Sequence, residues 1–224
     1  MRPTALDHVA LWVDERDALA TFLVEVCEMH EIERTEAFTL LGGDARRGKL
    51  TLFAADGPRE PGLLERVVLR VPDLPASLDR HPSAGADRDG VALLQAPSGL
   101  PLGLVQGAPS EPADLDRVVL RVPEPAATAA ALGALGLERR ADHLAVGDRH
   151  LLLRPGQAVA TARPLLNHLG LLVDSAGDVR AEAAERGLEV ERVVDAPNTI
   201  AVFLRGPDGL SLEYVEHKPS FALA

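Results

Sequence analysis

Leu6-Asp7-His8-Val9-Ala10-Leu11-Trp12-Val13, Leu64-Glu65-Arg66-Val67-Val68-Leu69-Arg70-Val71, Leu115-Asp116-Arg117-Val118-Val119-Leu120-Arg121-Val122 and Leu166-Asn167-His168-Leu169-Gly170-Leu171-Leu172-Val173 follow one pattern. It recurs roughly every fifty residues, and the second and third copies are identical over Val-Val-Leu-Arg-Val-Pro. A fixed period of this length marks a chain built from repeated supersecondary units. Each copy reads as a strand, because β-branched and aliphatic residues dominate between turn residues.

Each copy continues in the same way. An acidic or proline turn follows (Asp14-Glu15, Pro72-Asp73, Pro123-Glu124, Asp174-Ser175), and then an Ala/Leu-rich helical stretch. The helix is clearest over Arg16–Met29 and Ala176–Arg186, and Gly136 and Gly187 supply C-terminal stop signals. Short β-like runs complete each unit, so the order is strand, helix, then about three strands, four times over. The reading is an α+β chain of four βαβββ modules: residues 1–58, 59–110, 111–157 and 158–224. Segments 109–112 and 156–164 read as linkers. One module exposes a concave face, and two modules together close it into a barrel-like cup.

Composition narrows the function classes. The formal net charge is −11, which argues against nucleic acid as a partner, since phosphate binding needs a basic surface. Apolar runs such as Leu151-Leu152-Leu153 are far too short to cross a bilayer, so no membrane partner is expected. A single cysteine, Cys27, precludes an internal disulfide framework and fits a reducing, cytoplasmic setting. Within its helix it reads as a small buried apolar residue.

Four modules, a histidine on the first strand of two of them, and Gly206-Pro207-Asp208-Gly209-Leu210-Ser211-Leu212-Glu213 near the end resemble the vicinal-oxygen-chelate superfamily. That group includes glyoxalase I, extradiol dioxygenases and bleomycin-resistance proteins. The resemblance covers essentially the whole chain. It implies a divalent metal held by His8, His168 and Glu213, with a small molecule as substrate.

Strand alternation agrees with this implication. His8, Ala10 and Trp12 share one strand face, and His168, Gly170 and Leu172 share the equivalent one, directed into a cup. Ala10 and Gly170 are small there, which is read as room for a ligand. Two imidazoles and a carboxylate suit a facial triad, with Fe(II) the first expectation and Mn, Zn or Ni as alternatives. Asn198 is expected at the pocket as well.

The trio has an architectural consequence. Its residues belong to the first and last modules, so those two must share a cup, either within one chain or between the chains of a homodimer. The cup of modules two and three then holds Arg66, Arg70, Arg117 and Arg121 inward, with Gly103 in the place of Glu213. Such arginines suit an anion pocket or salt bridges in a structural half, and the second reading is favoured.

The specific chemistry divides. In glyoxalase I each module contributes a ligand from its last strand. Aligning Leu50–Phe53 with Leu210–Glu213 puts Phe53 where a carboxylate is required. Ring-cleaving dioxygenases carry an acid–base His and a Tyr before the Pro-x-Gly-x-x-x-Glu stretch. Here Phe203 stands at the Tyr position, and no His lies between Leu188 and Phe203. The trio favours a metal-dependent, extradiol-dioxygenase-like oxidoreductase. A glyoxalase-like lyase or isomerase, and a metal-free bleomycin-resistance-type binding protein, remain as alternatives.

Overall fold

The computed structural model describes residues 1–82, 85–87, 89–158 and 161–223. Residues 159 and 160 of the second expected linker lie outside the described residues.

The four units appear in chain order. The first comprises β1 (Ala5–Val13), α1 (Arg16–Glu25), β2 (His30–Arg34), β3 (Phe38–Gly42) and β4 (Lys49–Ala54). The second has β5 (Leu64–Val71), α2 (Leu74–Arg80), β6 (Gly85–Ala86), β7 (Ala92–Gln95) and β8 (Pro101–Gln106). The third has β9 (Asp114–Val122), α3 (Pro125–Ala134), β10 (Glu138–Arg139), β11 (Leu144–Val146) and β12 (Arg149–Pro155). The fourth has β13 (Leu166–Leu172), α4 (Ala176–Glu185), β14 (Val190–Asp195), β15 (Thr199–Arg205) and β16 (Ser211–His217). None of these helices is long and apolar enough to cross a membrane.

Local chemistry sets the helix ends. The Asp73 side chain accepts from the Ala76 amide, and the Ser175 hydroxyl accepts from the Asp178 amide, each satisfying an otherwise orphaned first-turn donor. Helix α1 stops at Glu25, short of the expected Met29. Glu28 takes a left-handed φ of 61° there, which turns the chain into β2.

Sheet pairing decides the architecture. One eight-stranded sheet runs β14-β15-β16-β13-β1-β4-β3-β2, and the other runs β10-β11-β12-β9-β5-β8-β7-β6. The first and fourth units therefore share a sheet within one chain, joined by antiparallel β1 and β13. The middle units share the other, joined by antiparallel β5 and β9. Sequence neighbours dock differently, through polar contacts at helix ends. The Ser98 hydroxyl accepts from the Glu15 amide, and the Thr128 hydroxyl donates to Asp208. Tyr214, fully buried, donates its phenolic proton to the Leu135 carbonyl and ties β16 to the end of α3.

Both central pairs are irregular in the same way. In β1–β13, Leu6 faces Leu171 and His8 faces Gly170, so Asp7 is an extra residue. On the other strand, Ala10 faces His168 and Leu11 faces Leu166, which makes Asn167 extra. Glu65 and Asp116 are the corresponding extra residues in β5–β9. Each bulge shifts the strand's phase by one residue. Leu6, Leu64, Leu115 and Leu166 thus enter the hydrophobic core, whereas His8, Arg66, Arg117 and His168 turn the other way. Val9, Leu11, Leu169 and Leu171 continue the fully buried core face.

The middle sheet uses its inward arginines as ion-pair partners. Arg66 pairs with Asp87, Arg117 lies 3.2 Å from Asp116, Arg70 lies 3.2 Å from Asp148, and Arg121 lies 2.9 Å from Glu65. Val68, Val91 and Val119 pack together in its interior. The arginines are already neutralised, so the structural alternative is the one observed.

Candidate metal centre

The bulge at Asp7 pairs His8 of β1 with Gly170 of β13 and lets its side chain reach that of His168, while parallel β16 runs beside β13 with Glu213 opposite Gly170. The His8 Nε2 and His168 Nε2 atoms stand 2.9 Å apart. Glu213 Oε2 lies 3.0 Å from the first and 2.7 Å from the second. All three residues are buried. The rings meet edge to face, with centroids 5.1 Å apart.

The remaining ring nitrogens are held from behind. His8 Nδ1 donates to Asp7 at 2.8 Å, and His168 Nδ1 donates to the Asn167 side-chain oxygen at 3.1 Å. Such contacts fix the tautomer whose Nε2 lone pair faces the centre. Both partners are the bulge residues, so one backbone irregularity supplies a ligand and its orienting group together.

This donor set fits a divalent metal. Two basic nitrogens and a carboxylate oxygen at these separations repel one another unless a proton or a cation lies among them. Donors held about 2.1 Å from one ion at right angles stand about 3.0 Å apart; the separations seen match such a facial arrangement. Among the described residues, His8, His168 and Glu213 form the one cluster with this geometry.

Charge supports the same conclusion. Burial acts to lower the His8 pKa, but the Glu213 charge and the bond to Asp7 outweigh it and raise it to about 9. Burial lowers His168, against the hydrogen bond to Glu213, and the charge on His8 adds to the lowering. Burial would raise Glu213, yet the two histidines hold it well below the usual carboxylate range. Without metal, the trio therefore holds a proton on His8.

Asp7 anchors a second layer that sequence reading missed. Lys49 Nζ donates to Asp7 Oδ1 at 2.9 Å and to the Ala45 carbonyl at 2.7 Å, and His217 Nε2 lies 3.0 Å from the same carboxylate. Burial would raise the Asp7 pKa; Lys49, His217 and His8 reverse that and push it far below 3.8. The available signal was two consecutive polar residues, Asp7-His8, inside an apolar strand.

The trio sits in a cavity of about 540 Å³. Phe53, Phe203 and Asn198 line it, together with Thr51, Arg192 and His217. The Phe203 ring packs edge-on against His168 at 5.1 Å, and Phe53 lies 6.4 Å from it. Ala10, Trp12 and Gly170 do not line the cavity, contrary to the sequence expectation. Ala10 is fully buried, and Trp12 packs against Phe53 at 5.3 Å. At Gly170 the vacant side-chain position seats His8 rather than a ligand, because a Cβ there would come within 2.4 Å of its imidazole.

The register also corrects one equivalence. Gly170 faces Glu213 and Ala10 faces Thr51, so Thr51, not Phe53, occupies the place of Glu213 in the first unit. The conclusion drawn from Phe53 stands, since Thr51 carries no carboxylate either. Tyr214 faces away from the centre, and His217 is found at the cavity.

Comparison with solved structures follows this geometry. A Bacillus subtilis protein provisionally assigned as a dioxygenase superposes with a TM-score of 0.80 at 17% identity, over 99% of this chain and 87% of that one. Glyoxalase I from Zea mays gives a TM-score of 0.71 at 17% identity, over 96% and 92% of the two chains. This chain has the vicinal-oxygen-chelate fold. Another chain similar to it is the CppA protein of Streptococcus pneumoniae, with a TM-score of 0.66 at 15% identity, covering 96% and 98%. No protein-family model and no curated protein matches the sequence.

Within this vicinal-oxygen-chelate fold, Asp7 is predicted to govern stability. Asp7→Asn leaves Lys49 buried without its counter-charge and costs about 3–5 kcal/mol in urea unfolding; adding Lys49→Met recovers part of that loss. The folded pKa of Asp7 is depressed, so its contribution is complete above the ordinary value of 3.8 and shrinks steadily as pH falls from there toward the far lower folded value. A double variant no more stable than Asp7→Asn would contradict this assignment.

Proposed function

We propose that this protein is a metal-dependent vicinal-oxygen-chelate enzyme, an extradiol-dioxygenase-like oxidoreductase acting on a small molecule with two adjacent oxygens. The triangle formed by His8, His168 and Glu213 carries the proposal, with separations of 2.7 to 3.0 Å. Three protein donors on one face leave the opposite positions for substrate and water. Fe(II) is the first choice of metal, with Mn, Ni or Zn as alternatives. Bound there, a divalent ion polarises and orients the paired oxygens.

The chain's own residues supply the rest. Phe53 and Phe203 form apolar walls that exclude water. His217 stands at the cavity with Nε2 against the Asp7 carboxylate and its ring stacked on Phe221 at 4.2 Å. We assign to this imidazole the carriage of a substrate proton, since no His lies between Leu188 and Phe203. Thr51 at the fourth corner disfavours the glyoxalase reading, because that proton transfer uses a second carboxylate. Both half-sites lie in one chain, so the proposal needs no second subunit. The partner is a small molecule, not nucleic acid or a membrane, and the reduced Cys27 thiol fits the cytoplasm.

Metal analysis tests the proposal. Wild-type protein supplied anaerobically with Fe(II) or Mn(II) is expected to retain one ion per chain, and His168→Ala to weaken uptake at least about a hundredfold. No retention by wild type, or equal affinity in the variant, would remove the enzyme reading. The Gly170→Ala methyl displaces the His8 ring and is expected to lower metal affinity at least about tenfold, with a lower thermal melt because a buried ring must move. Metal must also displace the proton from His8, whose pKa stands at about 9. Each unit of pH below that value should cost about tenfold in affinity; calorimetry in buffers of different ionisation enthalpy should show about one proton released per ion.

A further inference from the structure

The cavity is lined by two cations, Lys49 and Arg192. Lys49 is spent: it is buried and bonded to Asp7 and to the Ala45 carbonyl. Arg192 makes no ion pair with any described residue, whereas Arg66, Arg117 and Arg149 of the middle sheet each face a carboxylate. Its guanidinium lies 3.7 Å over the Phe203 ring, and the same ring packs against His168 at 5.1 Å. A cation–π contact of this kind fixes the guanidinium plane and leaves its edge donors available.

Position and register place this cation relative to the donor trio. Arg192 faces Phe203, Phe203 faces Glu213, and Glu213 faces Gly170, so the four form one row across the sheet. On the other wall the equivalent row runs Ala10, Thr51, Leu40 and Glu33. Arg192 and Glu33 are thus counterparts at the two sheet edges, and both line the cavity. Glu33 has no aromatic ring fixing it, whereas Arg192 is tied through Phe203 to a member of the trio. An acidic protein of net charge −11 repels anions in general; a fixed cation beside an aromatic-walled cavity offsets that repulsion at one point.

We infer that the substrate is a carboxylated aromatic or similarly planar small molecule, whose carboxylate is taken by Arg192 while its two adjacent oxygens point to His8, His168 and Glu213. The inference rests on the metal-chelate reading above and adds the substrate class. Phe203 sets the spacing: its edge meets His168 and its face carries the Arg192 guanidinium, so the planar body spans from the trio to that guanidinium.

The test uses Mn(II)-loaded protein under anaerobic conditions, with 3,4-dihydroxyphenylacetate and 4-methylcatechol as probes and calorimetry as the readout. Wild type should bind the carboxylated probe about tenfold tighter, the size of one charge-assisted hydrogen bond at a partly solvated site. Arg192→Met keeps contact with Phe203 and should erase that preference, leaving 4-methylcatechol and Mn(II) binding unchanged. Equal affinity of the two probes for wild type, or equal weakening of both by Arg192→Met, would overturn the inference. Metal dependence is a separate arm. If both probes bind as well without Mn(II), the chelate reading fails, even where the preference for the carboxylate persists. Binding of neither probe overturns both.

Discussion

The antiparallel pairing of β1 with β13, with one extra residue on each strand, is the constraint on which the remaining structure depends. A regular strand would put Leu6 and His8 on one face, and either a leucine would fill the cavity or a histidine would enter the core. The bulge resolves this conflict in a single step. It keeps Leu6 and Leu166 in the core, turns His8 and His168 toward each other, and places Asp7 and Asn167 behind their Nδ1 atoms. Its strand pairing also brings the two ends of the chain into one sheet, so a site split between the first and last units is complete within a single chain.

The two sheets show how one scaffold carries different chemistry. Positions held by His8 and His168 in one are held by Arg66 and Arg117 in the other, and the place of Glu213 is taken by Gly103 and Leu152. Arginine cannot act as a metal donor, because its guanidinium stays protonated. Its charge is instead matched by a carboxylate such as Asp87 or Asp116. Valines then fill the interior. In the sheet of the first and last units the corresponding space is a cavity, with Phe53 and Phe203 among its walls.

Much of this was legible in the chain. The repeated strand, the two histidines at one repeat position and the Pro-Asp-Gly turn before Glu213 were enough for four units, the trio and the need for the end units to meet. Strand β2 was not legible, because His30-Glu31-Ile32-Glu33-Arg34 is a half-solvated edge with one apolar residue and no period-two pattern to read. Simple alternation gave the right face for His8 but could not show the bulge, so Asp7 was overlooked. The bare Cα of Gly170 reads in the sequence as room for a ligand, and the strand register gives that room to His8. His217 shares strand β16 with Glu213 and falls on its face by simple alternation, whereas Arg192 joins the site only through the pairing of β14 with β15, which no local pattern encodes.

The central claim is that one chain assembles a metal centre from its first and last units. Anomalous diffraction at the metal absorption edge, on crystals of metal-loaded protein, tests this most directly. The account predicts a single strong peak bonded to His8 Nε2, His168 Nε2 and Glu213 of the same chain. A peak elsewhere, or one whose ligands come from two chains, would contradict it.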